Sequence, residues 1–398
     1  MSATAPAPEA PHVPHEPAFA GDAENPLARL TPAQIEQLGR EFDAIHAEVF
    51  AELGERDARY IRSTIKLHRQ LVLGARVALL FSRRRPAWLA GTAALSLAKI
   101  LENMEIGHNV MHGQWDWMND PDINSRTWDW DTASPADAWK HSHNYEHHTF
   151  TNIRGKDRDL GYEIMRIDPH QRWHPVYLLQ PLYNLLLMGF FEWGVAMHDL
   201  NFDAIRDGEK PKAEALAELK AIGLKARRQI VKDYLAFPAL SAALARPGKR
   251  RATFKATLTA NFTANIVRNV WAHSIIFCGH FPDQTYTFSE QEVAEETRGG
   301  WYVRQLLGSA NIDGSPLFHL LTGNLSFQVE HHLFPDMPSS RYAEIAPRVR
   351  DICHRYGLPY NTGPLHRQLG TVHRTILRLA FPGGKPRSKP GAYVPPAV

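Results

Sequence analysis

Apolar residues along this chain gather into segments that are long but seldom pure. Residues 87–101, AWLAGTAALSLAKIL, continue helically towards Gly107. Residues 176–197, VYLLQPLYNLLLMGFFEWGVAM, hold one acid in a stretch long enough to cross a bilayer. Two further candidates follow. The stretch 234–245, YLAFPALSAALA, is too short alone, and 259–279, TANFTANIVRNVWAHSIIFCG, carries Arg268 and His273. Arg76 likewise interrupts the apolar stretch 71–81. Any one of these fits a buried helix of a soluble protein, a reading that the mean hydropathy of −0.35 supports. Taken together they favour an all-α, integral-membrane helical bundle of about four spans with a cytosolic helical cap, because polar residues inside such segments usually face a bundle interior or a site. Basic clusters at Arg83, Arg84 and Arg85 and at Lys249, Arg250 and Arg251 should mark the cytoplasmic face. Simple alternation of the spans puts some of them outside, so one or two segments are expected to be re-entrant or interfacial. The mixed acids and bases of 199–230 predict a solvated amphipathic helix.

The ends differ from the middle. Residues 1–30 open with MSATAPAPEAPHVPHEPAF, which lacks the basic start and apolar run of a secretory signal and predicts a disordered arm. Residues 376–398 close with FPGGKPRSKPGAYVPPAV and predict a mobile tail or a weak surface tether, leaving one domain over 31–375. A formal charge of +3 without a dominant basic stripe argues against nucleic-acid binding. Cys278 and Cys353 are the only cysteines, too few for a disulfide framework and without thiolate metal-site spacing, which suits a reducing compartment.

The chemistry lies in the histidines. His108 and His112, in HNVMH, are four apart, so on a helix both rings point the same way. A zinc protease with this spacing needs Glu after the first His, where this chain has Asn109. HSHNYEHHTFTN, residues 141–152, repeats the four-residue step with His143 and His147 and adds His148. His141 reads as a neighbour. Far downstream, QVEHHLFP brings Glu330, His331 and His332, echoing Glu146, His147 and His148. Three clusters on remote segments imply one centre. A surplus of imidazoles without thiolates disfavours structural zinc. A carboxylate-built di-iron bundle would show two Glu-x-x-His pairs, of which only Glu105 with His108 is in a plausible position. A histidine-rich di-iron site is preferred, with Glu146 and Glu330 as acceptors that fix ring tautomers.

HNVMH, HNYEHH and QVEHH, in this order and with a hydrophobic hairpin between the second and third, resemble the histidine boxes of the membrane fatty acid desaturases. The resemblance covers roughly residues 60–365 and is nearest to the actinobacterial-type acyl-CoA desaturases, through NMEIGHNVMHGQWDWMNDP, TNIRGKDRDLGY, NVWAHSIIFCGHFP and GNLSFQVEHHLFPDMPSSRY. It implies an enzyme that uses O2 and two electrons to introduce a cis double bond into a long-chain acyl-CoA or acyl-lipid. The ligands it carries over are His108, His112, His143, His147, His148, His331 and His332. Gln328 stands where many members have His. Asn269 and His273 resemble an Asn-x-x-x-His element that supplies a further ligand in some relatives, with His280 the competing candidate; His273 is preferred.

Such chemistry needs a metal-based oxidant, since no side chain can break an unactivated C–H bond, and an apolar tunnel that exposes one carbon pair. Trp115, Trp117, Trp128 and Trp130 flank the first box and fit such a tunnel, the membrane interface or plain packing. Arg154, Lys156 and Arg158 fit a CoA phosphate or, more simply, a solvated basic loop. Neither a His-Pro-Gly-Gly haem motif nor a flavin or nicotinamide fingerprint is present: Phe381, Pro382, Gly383 and Gly384 lack the ligand. Electrons are therefore expected from an external ferredoxin-type donor and NAD(P)H reductase, at a site facing the cytoplasm of a bacterial inner membrane. A hydroxylase using the same oxidant and a non-catalytic membrane metal-binding protein are the alternatives.

Overall fold

The computed structural model of the chain describes residues 25–383 and 389–395. Most of the predicted N-terminal arm lies outside these residues, as do 384–388 and 396–398 of the predicted tail. The described part is mostly helical, with one short parallel pair of strands, Asn311–Asp313 beside Thr362–Pro364.

The cap begins with a well-specified helix, Pro32–Ala51. Thr31 accepts from the Gln34 amide at 3.3 Å while Gln34 Oε1 accepts from the Thr31 amide at 2.9 Å, and Pro32 supplies the preset first turn. Leu38, Phe42, Ile45 and Val49 recur at helical spacing and are buried against the Arg298–Leu307 and Tyr342–Arg355 helices and the short Gln328–Leu333 helix, which carries the third histidine box. The predicted tail is partly built into this body. Residues 376–379 complete the Leu365–Leu379 helix, and beyond it the Tyr393 amide donates to Leu358 O at 2.9 Å.

The bundle is an antiparallel hairpin of Glu55–Leu79 and Arg85–Ile100, against which the 31-residue Arg250–His280 helix packs. Gly91, Leu79 and Ala75 allow the hairpin's close approach, since a side chain on Gly91 would meet Leu79. Arg85–Ile100 then runs on, without a break in direction, into a π-helical turn at Leu101–His108, so the first histidine box rides on the end of a bundle helix.

Among the described residues no helix is long and apolar enough to cross a membrane. The four expected spans fall short for separate reasons. The 87–101 segment lies in a 16-residue helix, roughly 24 Å at the helical rise, whose continuation carries Glu102, Glu105 and His108. The 176–197 segment divides into a 3₁₀ turn, Pro175–Leu179, and two helices that meet at Phe190, which leaves helical geometry at φ −120° and ψ 34°. The 234–245 segment yields one seven-residue helix, Phe237–Ala243, after a π turn. The 259–279 segment lies in a long helix diluted by polar residues. The charged residues that interrupt the apolar segments face inward in partnered groups: Arg76 and Lys99 both reach Asp233, at 2.9 and 2.8 Å, and Arg268 pairs with Glu192 at 2.5 Å. The outward face of the bundle is apolar, with Leu73, Phe81, Leu89, Leu182, Leu185 and Leu244 each more than half exposed. The predicted amphipathic segment forms a short helix at Phe202–Asp207 and a longer one at Lys212–Ile230, whose surface is largely solvated.

Candidate metal centre

All three histidine boxes converge where the cap meets the bundle. His108 and His112 come from the end of the first π turn, and His143 and His147 from a second one at Lys140–His147, with His148 directly after it. π turns are wider than α turns and favour functional sites. Here the wider turn lets the residues four and five places beyond His143 both face the centre. His331 and His332 arrive on the Gln328–Leu333 helix.

The rings sort into two groups. Donor atoms of His108, His112, His143 and His331 lie within 4.8 Å of one another, and so do those of His147, His280 and His332. His148 sits between, with its ring 4.7 Å from His112 and stacked 4.5 Å from His332. The preferred eighth residue, His273, is elsewhere: its Nε2 is 3.1 Å from Asn184 Oδ1 and its ring stacks on Phe277 at 3.7 Å. Seven residues, about two helical turns, separate His273 from His280, and only the latter reaches the centre. Its ring is 4.7 Å from His147 and 4.9 Å from His332. Gly279 permits this closeness, because any Cβ there would fall 2.8 Å from the Gln328 side chain. Gln328 Nε2 lies 3.1 Å from His280 Nε2, at the edge of the second group. Asn269 donates to Gly189 O at 2.9 Å and joins neither group, though it lines the cavity beside His108 and His143.

Nitrogens of these rings are oriented from behind. Asp157 sits 3.0 Å from His147 Nδ1 and is itself fixed by the Asn152 amide at 2.6 Å, so the loop after the second box returns a carboxylate to that box. Asp159 contacts His143 Nδ1 at 3.4 Å, Gln305 Oε1 His332 Nδ1 at 2.9 Å, and the Tyr342 hydroxyl His331 Nδ1 at 3.1 Å. Each contact commits Nδ1 and turns Nε2 inward. The sequence reading gave this role to Glu146 and Glu330, and the structure places both elsewhere. Glu146 pairs with Arg158 at 3.1 Å near the surface, and Glu330 accepts from Tyr360 and Asn311 at 2.7 and 2.8 Å. The missed residues had a local signal, the Asp-x-Asp of GKDRDLGY, whereas Gln305 and Tyr342 are joined to the centre only by folding.

The Nε2 atoms of His112, His143, His147, His148 and His332 are buried and have no hydrogen-bond partner among the described residues. His108 Nε2 and His331 Nε2 face each other at 3.4 Å. Burial, reinforced by the neighbouring rings, holds His108, His112, His148, His331 and His332 well below the usual imidazole pKa, so they stand as neutral donors. Burial also pushes His147 down, but its Asp157 and Asp159 partners outweigh that and raise it. Unpartnered lone pairs converging in two groups, in a site without thiolates, fit a pair of metal ions.

The other sequence candidates are structural partners. Arg154 meets Asp168 at 3.4 Å, Lys156 meets Glu290 at 3.4 Å, and Arg158 is shared by Glu146 and Glu163. Trp115 is fully buried against Tyr60, and Trp117 packs on the same small core. Beside the first metal group a cavity is lined by His108, His143, Trp130, Trp139, Phe191 and Val195.

Comparisons with known proteins bear on this geometry. The fatty acid desaturase family model matches residues 86–364. An "NADPH-dependent stearoyl-CoA 9-desaturase" of Mycobacterium tuberculosis (strain ATCC 25618 / H37Rv) is 49% identical over 356 residues, covering 89% of this chain and 82% of its own. An "sn-1 linoleoyl-lipid 6-desaturase" of Synechocystis sp. is 26% identical over 288 residues, covering 70% and 76%. No solved structure matches the chain.

Proposed function

This chain belongs to the fatty acid desaturase family, and from that premise we propose that it desaturates a long-chain acyl-CoA with O2 at a pair of irons held by His108, His112, His143, His147, His148, His280, His331 and His332. It is an oxidoreductase that acts on fatty acyl chains. The observation that carries the proposed site is the convergence of eight buried or half-buried imidazoles, most with a free inward Nε2. When bound, the irons supply the oxidising power that no side chain has.

The chain's own residues do the rest. Asp157, Asp159, Gln305 and Tyr342 hold the rings in one tautomer and one orientation. Trp130, Trp139, Phe191 and Val195 form the apolar part of a cavity of about 50 Å³ beside His108 and His143, whose other walls include Asp159, Glu192, His198 and Asp199, so an acyl chain would enter only as these side chains move. Acyl-CoA is favoured over acyl-lipid because the mycobacterial relative is named for stearoyl-CoA and resembles this chain more than the cyanobacterial lipid desaturase does. Electrons come from a separate reductase system. The enzyme works at a membrane, a reading supported by the exposed apolar face of the bundle, on which Leu73, Leu182 and Leu244 are each more than half exposed, and its metal centre is assigned to the cytoplasmic side.

Expression in cells should create or enlarge one unsaturated fatty acid species, read by gas-chromatographic mass spectrometry with the double-bond position assigned. His147→Ala should abolish that change. A lipid profile identical with and without the wild-type chain, or an inserted hydroxyl instead of a double bond, would overturn the proposal.

A further inference from the structure

We propose that Trp139, Trp130 and Trp128 form a relay that carries oxidising equivalents from the metal centre to the protein surface when no acyl chain is bound. The inference rests on the desaturase reading and concerns what happens when that reaction lacks its substrate.

Trp139 is placed unlike an ordinary core residue. Its indole stacks on His143 at 4.5 Å with 22° between planes, and meets His108 and His112 edge-on at 5.2 and 5.6 Å. Trp130 follows at 5.0 Å from Trp139. Its Nε1–H donates to Ser134 O at 2.8 Å, which fixes the ring. Trp128 packs against this same apolar group and against the separate one that holds Trp115 and Tyr60. Exposure rises along the series: Trp139 and Trp130 are buried at 5% and 7%, and Trp128 is partly exposed. Ring contacts thus join the His143 imidazole to Trp139 and Trp139 to Trp130, and Trp128, packed on the same apolar group, leads on to solvent. Trp130 and Trp139 also line the cavity beside the metal groups, where they are the indoles among the oxidisable side chains, with Tyr162 on the same cavity and Tyr342 on His331.

The electron balance explains the need. Reduction of O2 to two waters takes four electrons and four protons. An external donor provides two electrons, and the acyl chain normally provides the other two with two hydrogens as its C–H bonds break. Without that chain, the other two electrons leave the relay in two single steps; its terminal indole, Trp128, takes one oxygen from water and releases two protons, and solvent supplies the remaining two. Trp139 reacts first and is refilled from Trp130 and then from Trp128, so damage ends at the surface and spares the histidines.

The test uses iron-loaded enzyme, chemically reduced and exposed to O2 with catalase present, with or without stearoyl-CoA, followed by peptide mass spectrometry. Without stearoyl-CoA, oxygen should be added at Trp128, and not at Trp301, which is also partly exposed but packs on the distant cap core. Stearoyl-CoA should suppress the modification. Trp130→Phe keeps an aromatic ring but interrupts the relay, so the Trp128 modification should be lost and one should appear at Trp139 instead. Trp128→Phe, nearer the surface, should instead leave the modification at Trp130. Equal oxidation of Trp128 and Trp301, an unchanged Trp128 signal in Trp130→Phe, or no indole oxidation at all would overturn the relay. Double-bond formation by the same preparation reports on the desaturase reading independently, so a preparation that desaturates without this pattern sinks the relay alone.

Discussion

An imidazole serves as a ligand when one nitrogen is committed elsewhere and the other is aimed at the metal. In this site Asp157 commits His147, Gln305 commits His332 and Tyr342 commits His331. Asp157→Asn keeps the shape but loses the charge, and it should weaken iron binding by roughly 10–100-fold, measured by competition with a chelator. His280 and His273 divide along the same line. His280→Ala should lower iron retained per chain. His273→Ala should leave iron in place and cost about 1–3 kcal/mol in thermal unfolding, because Asn184 loses its buried partner. The reverse pattern would mean that the ligand is His273. The seven box histidines were legible because the first two boxes repeat a four-residue step that one helix face explains and the third echoes the Glu-His-His of the second. His280 was harder to assign, since it lies about two turns from His273 on nearly the same helix face, and only the placement of the Arg250–His280 helix along its own axis tells which ring reaches the centre. Gln305 and Tyr342 carry no local signal whatever.

At the scale of elements, two π turns and one left-handed turn position the boxes. Gly323, just ahead of the third box, has φ +71°, and a Cβ there would lie 2.4 Å from the Met104 carbonyl oxygen in the first π turn. The backbone of one box therefore rests directly on the element carrying another. Gly323→Ala should destabilise the fold by about 1–3 kcal/mol and lower iron content in parallel, checked by thermal unfolding and metal analysis. Wild-type stability in that variant would show that the contact is slack. Periodicity alone indicates helix for Leu101–His108 and Lys140–His147, and it does not distinguish an α from a π turn, because that choice depends on packing beyond the segment. Apolar stretches were equally ambiguous. The sequence pattern of 176–197 is continuous, but the chain leaves helical geometry at Phe190, so one apparent span becomes two short helices. Arg76, Lys99 and Arg268 interrupt the apolar pattern, and folding pairs them with Asp233 and Glu192 inside the bundle.

For the molecule as a whole, the histidines tie a polar cap to a bundle with an apolar exterior. Remote segments, from His108 to His332, must meet before any site exists, so folding and metal binding should be coupled. The order of the boxes carried the family and the reaction class, because three motifs that are weak singly are specific jointly. Identity of 49% to a stearoyl-CoA desaturase agrees with that reading. Membrane placement, by contrast, depends on how helices share an apolar exterior that none of them spans alone. Iron per chain, measured by inductively coupled plasma mass spectrometry on purified protein that forms double bonds, tests the account most directly. The account predicts about two irons per chain. Active protein holding no iron, or another metal in its place, would contradict it.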